Sequence, residues 1–134
     1  MDKLLTLEIT SPLKNVFTGF VKSVSAPGVM GEFQVLYNHA ALVSNLDIGI
    51  IKIVDEKFAE IKFSISGGTL EVRKNNVNIL VDTIESKENI DKKRAQDSIE
   101  RANQRITSHE KGFDRERSLL SIRRAKNRLK LAGE

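Results

Sequence analysis

Six arginines in the last third of this 134-residue chain fall at helical spacing. At about 100° per residue, Arg94, Arg101 and Arg105 share one row, and Arg117, Arg124 and Arg128 share another. Guanidinium groups brought together in this way repel unless an anion lies between them. Phosphate is the natural occupant, because arginine gives it charge-assisted, bidentate hydrogen bonds. The plainer reading is that these side chains only border a solvated helix pair. Two carboxylates stand upstream. Asn89 or Asp91 can cap the first helix, and Asp91, one turn before Arg94 and Ala95, also suits a local ion pair. Glu85 suits a ligand amine or water, and spacing does not decide between them.

Other chemistries find little in the residues. His39 and His109 are far apart and in dissimilar contexts, so neither a metal site nor a catalytic triad is indicated. Ser66-Gly67-Gly68-Thr69 lacks the lysine and spacing of a phosphate loop and reads as a bend between strands. With no cysteine, disulfides and thiolate metal sites are excluded. No apolar run approaches the ~18–20 residues of a membrane span. Met1 to Glu8 lacks the order of a signal peptide, so a cytoplasmic protein is expected.

The elements that must position the arginines follow from a change of period at residues 84–95. Upstream, apolar residues alternate: Leu5, Leu7 and Ile9; Ile61, Phe63 and Ile65; Leu70 and Val72; Val77, Ile79 and Val81. Turn signals separate these runs. Between Val16 and Ala26 the alternation puts Phe20 and Val24 on one face, Phe17 and Val21 on the other. The reading is an antiparallel sandwich of about 8–10 short strands. Downstream the period is helical, with Ala95, Ile99, Ala102 and Ile106 in one stripe. Ile122, Ala125, Leu129 and Ala132 form a second stripe, supported by Leu119, Leu120 and Leu131. Gly112 suits the end of the first helix and Asp114 the cap of the next. An αα-hairpin results.

Charge divides at the same place. Residues 1–86 hold 8 Lys/Arg and 10 Asp/Glu, whereas residues 87–134 hold 14 and 8. We therefore read a sandwich domain over 1–86 and a basic helical hairpin over 87–134, the latter too small to be stable without a partner surface. A basic hairpin also suits nucleic acid, but Asp97, Glu100, Glu110 and Asp114 are interspersed in it. Phe113 is the only aromatic there to stack a base.

In order and spacing, Leu7-Glu8-Ile9, Pro27-Gly28, Gly31-Glu32, Asn38-His39-Ala40, Ser66-Gly67-Gly68, Leu70-Glu71-Val72 and Ile90-Asp91-Lys92-Lys93-Arg94-Ala95 resemble the epsilon subunits of bacterial F-type ATP synthases. The chain departs at Gln34 and Ala41, where that family commonly has Gly and Pro. The resemblance implies a non-catalytic subunit of the rotating central stalk of a proton-driven ATP synthase, peripheral to the cytoplasmic side of the bacterial membrane. It reaches the membrane only through the complex and binds no nucleic acid. The sandwich of such subunits docks on the gamma subunit and the membrane rotor ring (c-ring), for which Glu32 and His39 are the candidate contacts. The hairpin either folds onto the sandwich or extends to the alpha/beta catalytic head and blocks ATP hydrolysis, with Arg117, Arg123, Arg124 and Arg128 as candidate contacts. A subset of the family binds regulatory ATP on the folded hairpin through an Ile/Leu-Asp-x-x-Arg-Ala motif, without needing a metal. The matching positions here are Glu85, Ile90, Asp91, Arg94, Ala95, Arg101, Arg124 and Arg128.

Overall fold

The computed structural model describes residues 3–108 and 115–133. Nine strands come first: β1 Leu5–Thr10, β2 Asn15–Gly28, β3 Gly31–Leu36, β4 Leu42–Leu46, β5 Gly49–Asp55, β6 Glu60–Ile65, β7 Gly68–Arg73, β8 Asn76–Val81 and β9 Ile84–Ser86. A single 3-10 turn, Lys87–Asn89, leads to helix α1, Lys92–Ser108, and helix α2 spans Arg115–Ala132. The expected class, a β-sandwich followed by two helices, is the observed one. Two details of strand pairing differ from the sequence reading. One pairing, β1 with β8, is parallel. And β2, at 14 residues, is long enough to serve both layers, pairing with β1 at its start and with β3, β4 and β5 further along.

Alternation places the core. Leu5, Leu7 and Ile9 of β1, Leu70 and Val72 of β7, and Val77, Ile79 and Val81 of β8 line one inner face. Val24 and Ala26 of β2, Val35 of β3, Ile51 and Ile53 of β5, and Phe63 and Ile65 of β6 line the other. In β2 the expected parity breaks, because both Val21 and Val24 are fully buried while Phe20 is exposed. The cause is a β-bulge: the register against β5 slips between Val21 and Ser23, so the strand changes which alternate residues face inward. The Pro27-Gly28 step, though both residues are common in turns, is the end of β2. Pro27 pairs with Glu32 and Gly28 with Gly31 around a tight Val29-Met30 turn.

Two other turns explain their sequences. Lys74 and Asn75 both have positive φ (49° and 63°), the geometry of a two-residue hairpin whose twist matches the flanking strands. At Gly68 a Cβ would run into the carbonyl oxygen of Leu80, so only glycine lets the two strands approach.

The outer face of β5, β6 and β9 receives the hairpin. Register puts Lys52 beside Lys62, and Ile50, Ser64 and Glu85 in one row, all on the face opposite the buried Ile51, Ile53, Phe63 and Ile65. Helix α2 packs over β5, β6 and the 3-10 turn, and α1 packs along α2. Buried Ala95 and Ala102 on α1 and Ala125 on α2 let the helices approach closely. Helix α2 uses two faces. Ser118, Ile122, Ala125 and Ala132, with half-buried Leu129, follow the four-three stripe expected for contact with α1. Asn127 bonds to the sandwich, and Leu131, one turn further on, is buried. Leu119 and Leu120 do not support the stripe as expected, being 44% and 40% exposed; four residues before Ile122 the seam position is Ser118. The expected helix stop at Gly112 and cap at Asp114 lie outside the described residues.

Candidate anion-binding cleft at the hinge

Where strand gives way to helix, three short segments meet. β9 presents Glu85, pinned opposite Ser64 by its ladder with β6. The chain then makes its 3-10 turn and Ile90 closes it, extended (φ −85°, ψ 124°), its N–H donating to the Lys87 carbonyl at 3.4 Å. Asp91 starts α1. Its Oδ1 accepts from the Arg94 N–H at 3.0 Å and its carbonyl from the Ala95 N–H at 3.1 Å, so the side chain caps the helix as spacing allows. Capping fixes the first turn and turns Arg94 toward the same space.

That space is a cleft of about 300 Å³ lined by Glu85, Asp91, Arg94, Ala95, Ser98, Arg101 and Arg128. It is at the small end of the ~300–1,000 Å³ usual for ligand pockets, but it does not end at its rim. Asp91, Arg94 and Arg101 also border a broader depression of about 510 Å³ on the outer side of α1. Ser98 and Arg101 continue into a third, of about 230 Å³, along the seam with Arg105, Ser118 and Ser121. Arg101 stands at the junction of all three, its Nη2 donating weakly to Ser98 Oγ at 3.5 Å.

Three guanidinium groups against two carboxylates leave the cleft with a positive excess. One pair is already formed: Arg128 Nη2 lies 2.6 Å from Glu85 Oε1, with both side chains half-buried. This contact joins α2 to the sandwich across the cleft. It also holds the Arg128 guanidinium over the cleft, where a phosphate oxygen would share it with Glu85. Of the eight residues expected at a ligand site, six line this cleft. Ile90 closes the 3-10 turn and is not among the lining residues. Arg124 is exposed on α2, one turn before Arg128, and outside the lining. Among the described residues no group of His, Cys, Asp or Glu gathers in a way that could hold a metal ion.

The contacts that seat the hairpin were not evident in the sequence. Asn127 Nδ2 donates to the Gly49 carbonyl at 2.7 Å and to Ser64 Oγ at 2.9 Å. Arg123 Nη2 reaches Asp47 Oδ2 at 3.2 Å. The Asp47 carboxyl is held below its ordinary value, chiefly by the Ile48 N–H that donates to it; burial opposes this, and the Arg123 guanidinium adds to the lowering. The available signal was Asn127 itself: an asparagine mid-helix is a poor helix former and calls for a partner.

The remaining candidates lie elsewhere. His39, between β3 and β4, has its Nδ1 2.8 Å from the Ala40 carbonyl. Glu32 is exposed on β3, and Arg117 near the start of α2. His109 and Phe113 lie outside the described residues. No described helix is long and apolar enough to cross a membrane.

Known proteins place this architecture. The family described as "ATP synthase, Delta/Epsilon chain, beta-sandwich domain" matches residues 4–87, and its companion, the "long alpha-helix domain", matches residues 88–133. The chain belongs to the ATP synthase delta/epsilon family. Within that family it is 41% identical over 132 residues to the ATP synthase epsilon chain of Desulfitobacterium hafniense, covering 98% of each chain. To the epsilon chain of Moorella thermoacetica it is 40% identical over 129 residues, covering 96% of each. The fold is also that of a chain in the mitochondrial ATP synthase of Euglena gracilis, with a TM-score of 0.87 at 21% identity over 100% of this chain and 84% of that one. A chain of the Tetrahymena thermophila central stalk and c-ring is more distant, with a TM-score of 0.58 at 18% identity over 98% and 95%.

Proposed function

We propose that this delta/epsilon-family chain is a non-catalytic rotor subunit of the central stalk whose hairpin is a brake on ATP hydrolysis, held off by ATP in the hinge cleft. The observation that carries the reading is the cleft itself. It draws Glu85 from the sandwich, Asp91, Arg94 and Arg101 from α1, and Arg128 from α2, so its occupant fastens three parts of the chain at once. In this account the arginines cradle the phosphates, while the adenine lies toward Glu85 and the hinge turn near Asp91. The chain's own groups supply the charge match, and no metal is needed to assemble them.

The docked and released hairpins use the same side chains differently. Docked, Arg123 is engaged with Asp47 and Arg128 with Glu85. Released, both guanidiniums become available, with Arg117 and Arg124, to acidic surfaces of the alpha/beta catalytic head. The sandwich would sit on the gamma subunit and c-ring, through contacts that include Glu32 and His39, at the cytoplasmic face of the membrane. The ATP synthase assemblies that hold the similar folds, one of them a central stalk with its c-ring, support a place in the stalk.

Among the described residues Asn127, Arg123 and Arg128 tie the hairpin to the sandwich, and a ligand selective for the docked state adds to them by RT ln(1 + [L]/Kd), about 2.7 kcal/mol at a hundredfold excess. Calorimetric titration of the whole chain with ATP tests the reading. Saturable binding is expected, abolished in Arg94→Ala/Arg128→Ala with the sandwich still folded; unchanged binding in that double variant removes the arginines from the site.

A further inference from the structure

Two of the contacts that seat α2 land on one short link in the sandwich. Between β4, which ends at Leu46, and β5, which starts at Gly49, lie only Asp47 and Ile48. From the helix side, Arg123 Nη2 donates to Asp47 Oδ2 at 3.2 Å and Asn127 Nδ2 to the Gly49 carbonyl at 2.7 Å. From the other side, the ribbon of β2 and β3 holds the same link. The Asp47 N–H donates to the Pro27 carbonyl at 2.8 Å, and the Val29 N–H to the Asn45 carbonyl at 3.0 Å. Gly28 pairs with Leu46. Gly49 lies so close to Pro27 that a Cβ there would collide with the proline ring. Within the link, Asp47 Oδ1 accepts the Ile48 N–H at 2.8 Å. Beyond it stands the tip of the ribbon, Val29 and Met30, 55% and 97% exposed, with Glu32 paired opposite Pro27.

We propose that the Asp47-Ile48 link couples docking of the helical hairpin to the order of the β2–β3 tip. Two residues offer few soft dihedrals in which to absorb a displacement. Close-packed groups and hydrogen bonds on both sides transmit it instead. Coupling of this kind needs an element with two arrangements that both sites bias. The hairpin supplies it: docked, α2 grips Asp47 and Gly49, and released, both lose that grip. The coupling is reciprocal, so whatever fixes the tip favours docking by the same factor that docking favours an ordered tip. Its consequence for the stalk, that a surface including Glu32 is held differently in the docked and released subunit, rests on the function proposed above. The coupling itself needs neither nucleotide nor partner.

The test is native-state amide hydrogen exchange, followed by NMR on the full chain without nucleotide, in variants on opposite sides of the link. Arg123→Ala/Asn127→Ala loosens only the helix side. Exchange at Val29 and Asp47, whose N–H groups tie tip to link, should accelerate about fivefold or more, the low end of usual coupling. The amides of β1, β7 and β8 should keep their protection. Pro27→Ala retains the carbonyl that Asp47 uses but removes the ring over Gly49, and it should accelerate exchange of the α2 amides by a similar factor. Faster α2 exchange with an unchanged Val29 amide in the helix variant overturns the proposal. Unchanged α2 exchange in that variant overturns it as well, because the two contacts then seat nothing. So does equal acceleration in β1, β7 and β8 in either variant, which reports general loosening rather than a link. A null ATP titration leaves all these readouts in force and bears on the nucleotide alone.

Discussion

Asn127 is where the docking of the hairpin is most open to measurement. Its amide places both N–H groups on the sandwich, one on the Gly49 carbonyl at 2.7 Å and one on Ser64 Oγ at 2.9 Å, in a half-buried setting. Each such bond contributes a net ~0.5–1.5 kcal/mol, so Asn127→Ala should weaken docking by about 1–3 kcal/mol. At 1.4 kcal/mol per factor of ten, the ratio of docked to released hairpin falls about 5- to 150-fold. The substitution also raises helix propensity slightly, so α2 itself should persist. Native-state hydrogen exchange separates the two consequences: amides of α2 and of β6 beneath it should exchange faster, while those of β1, β7 and β8 keep their protection. A cycle with Ser64→Ala should give a coupling energy of ~0.5 kcal/mol or more. Unchanged exchange in α2, or uniform loss of protection through the sandwich, would refute the claim that this contact seats the hairpin.

Glu85→Gln should weaken the Arg128 contact across the hinge cleft and lower apparent ATP affinity severalfold in a calorimetric titration, with thermal melting of the sandwich nearly unchanged. Asp91→Ala removes the cap of α1 and should cost about 1 kcal/mol of helix stability; circular dichroism on heating should show α1 fraying first, and Asp91→Asn should restore most of it. The Asp47 carboxyl has a lowered native value, chiefly from the Ile48 N–H, and the part that Arg123 supplies depends on docking, so that part is fully present above the ordinary carboxylate range, near pH ~4. That contribution fades as pH falls through the lowered value, and Asp47→Asn should flatten this acid-side dependence of α2 exchange. Arg123→Ala, which breaks an exposed pair, should weaken docking by only ~0.2–1 kcal/mol, less than Asn127→Ala, and the difference should shrink further in high salt.

Alternation and helical spacing made the two kinds of structure legible, because burial on one face is a local constraint that every strand or helix must meet. The stripes on α1 and on the second half of α2 appear where the period put them. The errors came where a non-local partner intervened. A bulge against β5 turned Val24 inward beside Val21, and nothing within β2 announces it. Strand β9, only 3 residues long, exists because β6 offers it an edge. Leu119 and Leu120 read as core by type, yet helix geometry gives the seam to Ser118.

The candidate cleft was legible for a different reason. Glu85, Asp91, Arg94 and Ala95 lie within one short stretch, so their proximity is nearly assured by the chain. That Arg128 closes the cleft depends on how α2 docks, which in turn rests on Asn127, Arg123 and the ladder that sets Ser64 beside Glu85. Arg124 carries the right charge at the right spacing but sits one turn away from the cleft, exposed. Spacing counts residues along a helix; it does not say which face the neighbouring sheet will cover.

The most direct measurement is a backbone amide NMR titration of the whole chain with ATP, with ADP and magnesium varied in parallel. The account predicts saturable shifts at Glu85, Asp91, Arg94, Arg101 and Arg128, accompanied by slower exchange of the α2 amides over β6. An absence of shifts at millimolar ATP, or shifts at the cleft with no change in α2 exchange, would contradict a nucleotide that clamps the hairpin down.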